Sequence, residues 1–167
     1  MGSRSKMKKE IIQKIDLAYI AGFLDGDGSL MLQLKKRSDS KRAYRFMATI
    51  CFYQDTRHEK TLHWIQKVFS CGYISKRNDG MTELRINGYK KVEEILNLLS
   101  PFVRFKKPQA QALKNACEML SSTKFKMLNK KQLMKLVDSI LTIQNENYVT
   151  KKKKTRKDFL EILGLTP

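Results

Sequence analysis

Between Ile11 and Phe52 the spacing of apolar side chains changes once, and the change falls at a pair of glycines. Ile11, Ile12, Ile15, Ala18, Tyr19 and Gly22 recur at helical intervals. Beyond Gly26 and Gly28, Leu30, Leu32 and Leu34 alternate with Gln33, Lys35 and Arg37, the period of a strand covered on one face. The pattern predicts a helix over 11–24, stopped by the glycines, with a strand directly behind it. After a polar turn at Ser38-Asp39-Ser40-Lys41 the alternation resumes. Tyr44, Phe46, Ala48, Ile50 and Phe52 share one face, and Arg45, Met47, Thr49 and Cys51 the other.

Leu62, Ile65, Val68 and Phe69 mark a helix from about 58 to 70, closed by Gly72. Two shorter strands, near 73–77 and 82–87, flank an Asn78-Asp79-Gly80 turn. Val92, Ile95, Leu96 and Leu99 give another helix, and helical spacing returns over 109–120, 130–143 and 158–163. The order helix–strand–strand–helix–strand–strand–helix, with a helical tail, predicts an α+β domain. Its sheet is antiparallel, with helices on one face and the other face open. Residues 11–146 form the core on this reading. Residues 1–10 are an N-terminal extension, with Met1-Gly2-Ser3 read as a possible expression remnant, and residues 147–167 are a basic loop and short helix.

Charge narrows what the open face is for. Lys and Arg total 34 against 16 Asp and Glu, a net charge of +18. Such an excess points to a polyanionic partner, with nucleic acid ahead of an anionic membrane. No apolar run approaches the roughly 18 residues of a membrane span. Gln33, Lys35, Arg37, Arg45, Arg77, Glu83 and Arg85 project from the open face, and Met31, Met47, Thr49, Cys51 and Ser75 share it. Arg and Gln suit base edges in a major groove, which admits a β-ribbon. The run Lys151, Lys152, Lys153, Lys154, Thr155, Arg156, Lys157 reads as a phosphate anchor, with Thr155 placed to cap a helix near Asp158. Cys51, Cys71 and Cys117 lack metal-ligand spacing and read as reduced, packed thiols. His58 and His63 have no third ligand nearby.

The segment Ile20-Ala21-Gly22-Phe23-Leu24-Asp25-Gly26-Asp27-Gly28-Ser29 carries the chemistry. A calcium-loop reading fails, because Leu30 stands where such a loop needs Gly and Lys36 where it needs Glu. A packing reading fares better. Gly22 and Gly26, with Ala21 and Asp25 beside them, would let a second helix backbone approach closely. If that helix is a copy of itself, a two-fold axis brings two Asp27 carboxylates together, an arrangement that divalent cations stabilise.

This segment resembles the LAGLIDADG motif, with Ile at the first position and Gly-Asp in place of Ala-Asp. The chain from about Lys14 to Leu163 is similar to single-motif homing endonucleases of organellar introns. The resemblance implies the αββαββα fold with a saddle-shaped sheet, and a homodimer joined through Tyr19, Ala21, Gly22, Asp25 and Gly26. It implies a site-specific cut in both strands of a long, near-palindromic DNA target, leaving 3′ overhangs, in an organelle. Asp27 is the implied metal ligand with the Gly26 carbonyl as its companion. Gln54 matches the residue that orders active-site water, Lys106 matches the lysine near the scissile phosphate, and Asp25 is expected to fix the turn after the helix. His58 stands where homodimeric members often carry a basic residue, with Arg57 as its neighbour. The implied cofactor is Mg²⁺. Mn²⁺ is expected to substitute, and Ca²⁺ to bind without supporting cleavage. Two rival roles use the same fold: an RNA-binding intron maturase and a non-catalytic DNA-binding regulator.

Overall fold

A computed structural model describes residues 13–37, 44–147 and 153–165. The first helix, α1 (Lys14–Asp27), runs directly into β1 (Gly28–Lys36), which pairs with β2 (Tyr44–Asp55). A 3₁₀ turn at Thr56–His58 leads into α2 (Lys60–Phe69). A hairpin of β3 (Tyr73–Lys76) and β4 (Met81–Asn87) precedes α3 (Tyr89–Leu99), α4 (Lys107–Ser122), α5 (Lys130–Glu146) and α6 (Arg156–Ile162). The four strands lie in the order β1-β2-β4-β3, every neighbouring pair antiparallel.

Alternation explains the layering. Leu30, Leu32 and Leu34 stand opposite Ile50, Ala48 and Phe46, and all are buried beneath the helices. Leu84 and Ile86 of β4 extend this face, and Ile20 and Leu24 of α1, Leu62 and Ile65 of α2, and Leu96 and Leu99 of α3 pack on it. Phe23 stacks on Phe52 with centroids 5.8 Å apart, fixing α1 over the centre of the sheet. The Tyr89 hydroxyl donates to the Phe46 carbonyl at 2.5 Å, tying the start of α3 to β2.

Of the two glycines expected to stop the first helix, Gly28 is its C-cap and Gly26 is not. Gly22 and Gly26 lie inside α1, which continues through Asp27; Ile11 and Ile12 lie outside the described residues. Glycine disfavours a helix interior by only about 1 kcal/mol, less than the packing of Leu17, Ile20, Ala21 and Leu24 supplies. Gly28 is the residue the junction requires. A Cβ there would lie 2.7 Å from both the Cα and the carbonyl oxygen of Leu24, and helix backbone cannot step aside. Gly28→Ala is expected to destabilise the fold by about 2–3 kcal/mol. That would lower the melting temperature by roughly 5–10 °C for a chain of this size. An unchanged melting curve would contradict the junction geometry.

The C-terminal segment is docked. Thr155 caps α6, accepting from the Asp158 N–H at 3.3 Å while Asp158 Oδ2 accepts from the Thr155 N–H at 2.7 Å. Phe159 is buried, and the Arg156 guanidinium meets Asp138 of α5. The polar turn expected at 38–41, together with Lys151 and Lys152, lies outside the described residues.

Candidate active site and nucleic-acid face

The helix–strand junction brings the motif to one end of the sheet. Gly28 stands opposite Phe52, so Asp27, the last residue of α1, lies at the end of the sheet where β2 runs out through Tyr53 and Gln54. Asp27 and Gly26 are exposed at the helix end, and a Cβ built on Gly26 would meet nothing within 4 Å. Asp25 turns the other way and is buried. Its carboxylate accepts the N–H of Arg104 at 2.6 Å and of Lys106 at 3.0 Å. The Lys106 ammonium donates to the Asp25 carbonyl at 2.5 Å. Partial burial pulls the pKa of Lys106 below its ordinary value, while Asp25 and Asp27 act against that pull. That hydrogen bond holds the Lys106 ammonium on the helix backbone two residues before Asp27. The Gln54 carbonyl oxygen folds back to accept the Asp55 N–H at 2.8 Å.

Two expectations at this end need correction. Asp25 holds a loop from a distant part of the chain, because α1 continues through Asp27 and leaves no turn there to fix. Nor do Asp25 and Ala21 belong to an exposed face for a second helix. Ala21 is fully buried against its own sheet, since residues three and four apart share a helix face and Ala21 lies with Leu17 and Leu24. The exposed stripe consists of Ile15, Ala18, Tyr19, Gly22 and Gly26. Ile15 is 77% exposed and Tyr19 57%, on a helix otherwise committed to the core. Beside the stripe is a cavity of about 430 Å³ lined by Ile15, Asp16, Tyr19, Lys60, Thr61 and Trp64.

Arg57 is engaged by Asp55, whose carboxylate accepts Nε at 3.0 Å and Nη2 at 2.8 Å. This partner holds the Asp55 pKa well below the usual carboxylate range. His58 is exposed in the same 3₁₀ turn.

On the open face of the sheet, register aligns Lys35 with Arg45, Gln33 with Met47, and Met31 with Thr49. Arg85 lies between Cys51 and Tyr73, and Glu83 between Tyr53 and Ser75. Facing this side does not ensure exposure. Thr49 and Cys51 are fully buried: they are short side chains of an interior strand, flanked by longer ones on β1 and β4. Thr49 donates to Asn87 at 2.7 Å, and burial pushes the Cys51 thiol up to about 11. Neither is placed to touch bases. Glu83 is also buried, its two carboxylate oxygens accepting Arg85 Nε at 3.1 Å and Nη2 at 3.2 Å. It braces the arginine that sequence reasoning set beside it as a second reader. Arg77 is held by Asp79 at 2.8 Å and lies 5.9 Å from the centre of the Tyr53 ring. Arg45 and Lys35 are exposed, and Met31, Met47 and Ser75 are half-buried. Arg37 lies just past the end of β1.

Gln33 is half-buried on the edge strand, its side-chain oxygen enclosed without a hydrogen-bond partner. It lines a cavity of about 270 Å³ with Met31, Gln144, Asn147, Lys154 and Phe159, where the C-terminal segment overlaps the sheet edge. Lys153 and Lys154 are exposed. Lys157 approaches Glu161 at 3.9 Å, and Arg156 serves to hold α6 on α5 through Asp138. Sequence reasoning passed over Tyr53 and Asn87; alternation already put both on the open face, but neither carries charge.

The molecule is thus a four-stranded antiparallel sheet with helices on one face and a carboxylate exposed where the first helix meets it. The family model for LAGLIDADG endonuclease matches residues 20–110, and the chain belongs to that family. It is 32% identical over 111 residues to DNA endonuclease I-CvuI of Chlorella vulgaris, covering 66% of this chain and 69% of that protein. DNA endonuclease I-CreI of Chlamydomonas reinhardtii is 30% identical over 108 residues, 65% of this chain and 66% of its own. The crystal structure of I-CvuI with the I-CreI target in 2 mM Mg, where the DNA is not cleaved, superposes with a TM-score of 0.69 at 28% identity. That match covers 90% of this chain and 96% of the other. The archaeal intron-encoded I-Vdi141I, complexed with DNA, shares the fold at TM-score 0.75 and 19% identity, covering 90% and 95%.

Proposed function

We propose that the protein is a homodimeric, divalent-metal-dependent endonuclease that makes a site-specific double-strand cut in a long, near-palindromic DNA target. The observation that carries this reading is the placement of Asp27. Its exposed carboxylate stands at the end of α1 where the helix meets the sheet, and the Lys106 ammonium is held two residues back on the Asp25 carbonyl.

Among the described residues, no group of three or more His, Cys, Asp or Glu side chains forms a complete metal site. One protomer offers an exposed carboxylate and the open backbone at Gly26. These hard oxygen donors suit Mg²⁺ and related cations, and they suit a site shared by two copies and a DNA phosphate. A cation held there supplies Lewis-acid stabilisation of the scissile phosphate. The chain's own residues do the rest. The apolar stripe of α1 fits a second copy, because small residues allow a close helix crossing and Ile15 and Tyr19 are otherwise left in water. The two sheets then lie along the major groove, and Lys106 offsets charge that develops on the phosphate.

Incubation with a randomised near-palindromic DNA library tests the reading directly. Mg²⁺ should yield double-strand breaks with short 3′ overhangs at a narrow set of sequences, and chelation with EDTA should stop them. Tight binding without cleavage in any divalent metal would support the regulator instead, and preferential binding of intron RNA the maturase. The braced arginines give a finer expectation. Arg85→Ala and Arg77→Ala should each relax preference at one base pair per half-site, by about 1–3 kcal/mol. Loss of affinity spread evenly over all targets would mark them as phosphate contacts. The exposed lysines should make binding salt-sensitive, log affinity falling by about 0.9 per phosphate neutralised for each unit of log salt.

A further inference from the structure

The two acids of the motif face opposite ways. Residues two apart on an α-helix project about 200° from each other, so with Asp27 in solvent Asp25 turns inward and is 8% exposed. A carboxylate in that position requires donors. It finds them 79 and 81 residues along the chain, in the N–H groups of Arg104 and Lys106. The carbonyl of the same residue takes the Lys106 ammonium. Between the two clamped positions Phe105 is turned outward and is 81% exposed. Lys106 itself is the N-cap of α4, so the clamp fixes where that helix begins as well as where the lysine points. Hydrogen bonds to an ionised carboxylate are about twice as strong as neutral ones. A pair of them aimed at one loop sets its position more firmly than packing of so exposed a segment could.

We propose that Asp25 is a positioning residue for DNA cleavage: it clamps the loop Arg104–Lys106 to the end of α1 and so sets the Lys106 ammonium against Asp27. The inference rests on the nuclease reading above. It assigns the motif's two acids separate tasks, the outer one at the reacting phosphate and the inner one behind it. A carboxylate that served only the fold would lower stability without acting through one particular lysine.

A double-mutant cycle separates these roles. In single-turnover cleavage with Mg²⁺, Asp25→Asn should slow the reaction about tenfold to a hundredfold, with target affinity in Ca²⁺ unchanged. Added to Lys106→Ala, it should cost less than about threefold beyond Lys106→Ala alone, because the clamp acts through that lysine. Losses that multiply in full would overturn the proposal. Amide exchange on the wild-type protein, free of DNA, supplies a test that does not depend on any variant folding. The Arg104 and Lys106 N–H groups should exchange at least about a hundredfold more slowly than in an unstructured peptide. Exchange at open-loop rates would refute the clamp. A wild-type protein with slow amides that cleaves no target would remove the nuclease reading, and with it the catalytic role of Asp25. An active protein with multiplicative losses would remove that role alone.

Discussion

Asp27→Asn should lower the rate of double-strand cleavage about a thousandfold or more while leaving target affinity in Ca²⁺ within a few-fold of wild type. The substitution preserves shape and the exposed position at the end of α1, so the fold has no reason to change. What it removes is negative charge, in both copies at once, at the point where hard oxygen donors are needed. Binding is expected to survive because the basic side chains proposed to meet DNA lie elsewhere, on the open sheet face and on the segment leading into α6. Single-turnover cleavage and a gel-shift titration measure the two quantities separately. Cleavage near the wild-type rate would displace Asp27 from the chemistry.

The second large effect is expected from Gly22→Leu. Within the protomer a side chain at this position has room, since a Cβ built on Gly22 meets nothing within 4 Å. Leucine also favours a helix over glycine by nearly 1 kcal/mol, so the far-UV spectrum should keep its helical content. In the assembly the same side chain would wedge between two helix backbones that need to touch. Self-association should weaken by at least about a hundredfold, equivalent to nearly 3 kcal/mol. Double-strand cleavage should fall with it. Sedimentation velocity reads the first effect and a plasmid-linearisation assay the second. A variant that stays dimeric at the wild-type concentration would move the interface away from the α1 stripe.

Much of the fold was legible because alternation and helical spacing are properties of neighbouring residues. The four strands, the NDG turn and the helices after Pro108 all follow from such local patterns. Where the sequence reading went wrong, a distant contact overrode a local preference. Gly26 looks like a helix stop, yet it lies inside α1, which is packed on the sheet and runs to its C-cap at Gly28. Asp25 looked like a turn residue, since its partners stand 79 and 81 positions away and are backbone groups that leave no mark in side-chain identity. Thr49, Cys51 and Glu83 were set on the correct face, but alternation gives direction and not depth. Depth depends on strand order, which put β2 and β4 in the interior of the sheet. Asp27, Gln54 and Lys106 were reached through family resemblance rather than through spacing, because none of the three stands out by local pattern.

The absence of any connecting residue between α1 and β1 has a consequence for how such a protein can change. Asp27 ends the helix and Gly28 begins the strand, so the proposed cutting end and the proposed reading surface are joined with no linker between them. The junction acts as a ruler. Side chains on the sheet can be exchanged to read another sequence, and the cut should still fall at the same distance from the bases being read. An extra residue at the junction would shift strand register and rotate the carboxylate together, spoiling both at once. An extra residue in the turn at Asn78–Gly80 would cost as well, because that turn lies at the same end of the sheet: the Gly80 carbonyl accepts the Thr56 N–H at 2.9 Å and Asp79 holds Arg77. Drift toward new targets is therefore expected to proceed by replacement of side chains on the sheet rather than by changes of length at this end of it.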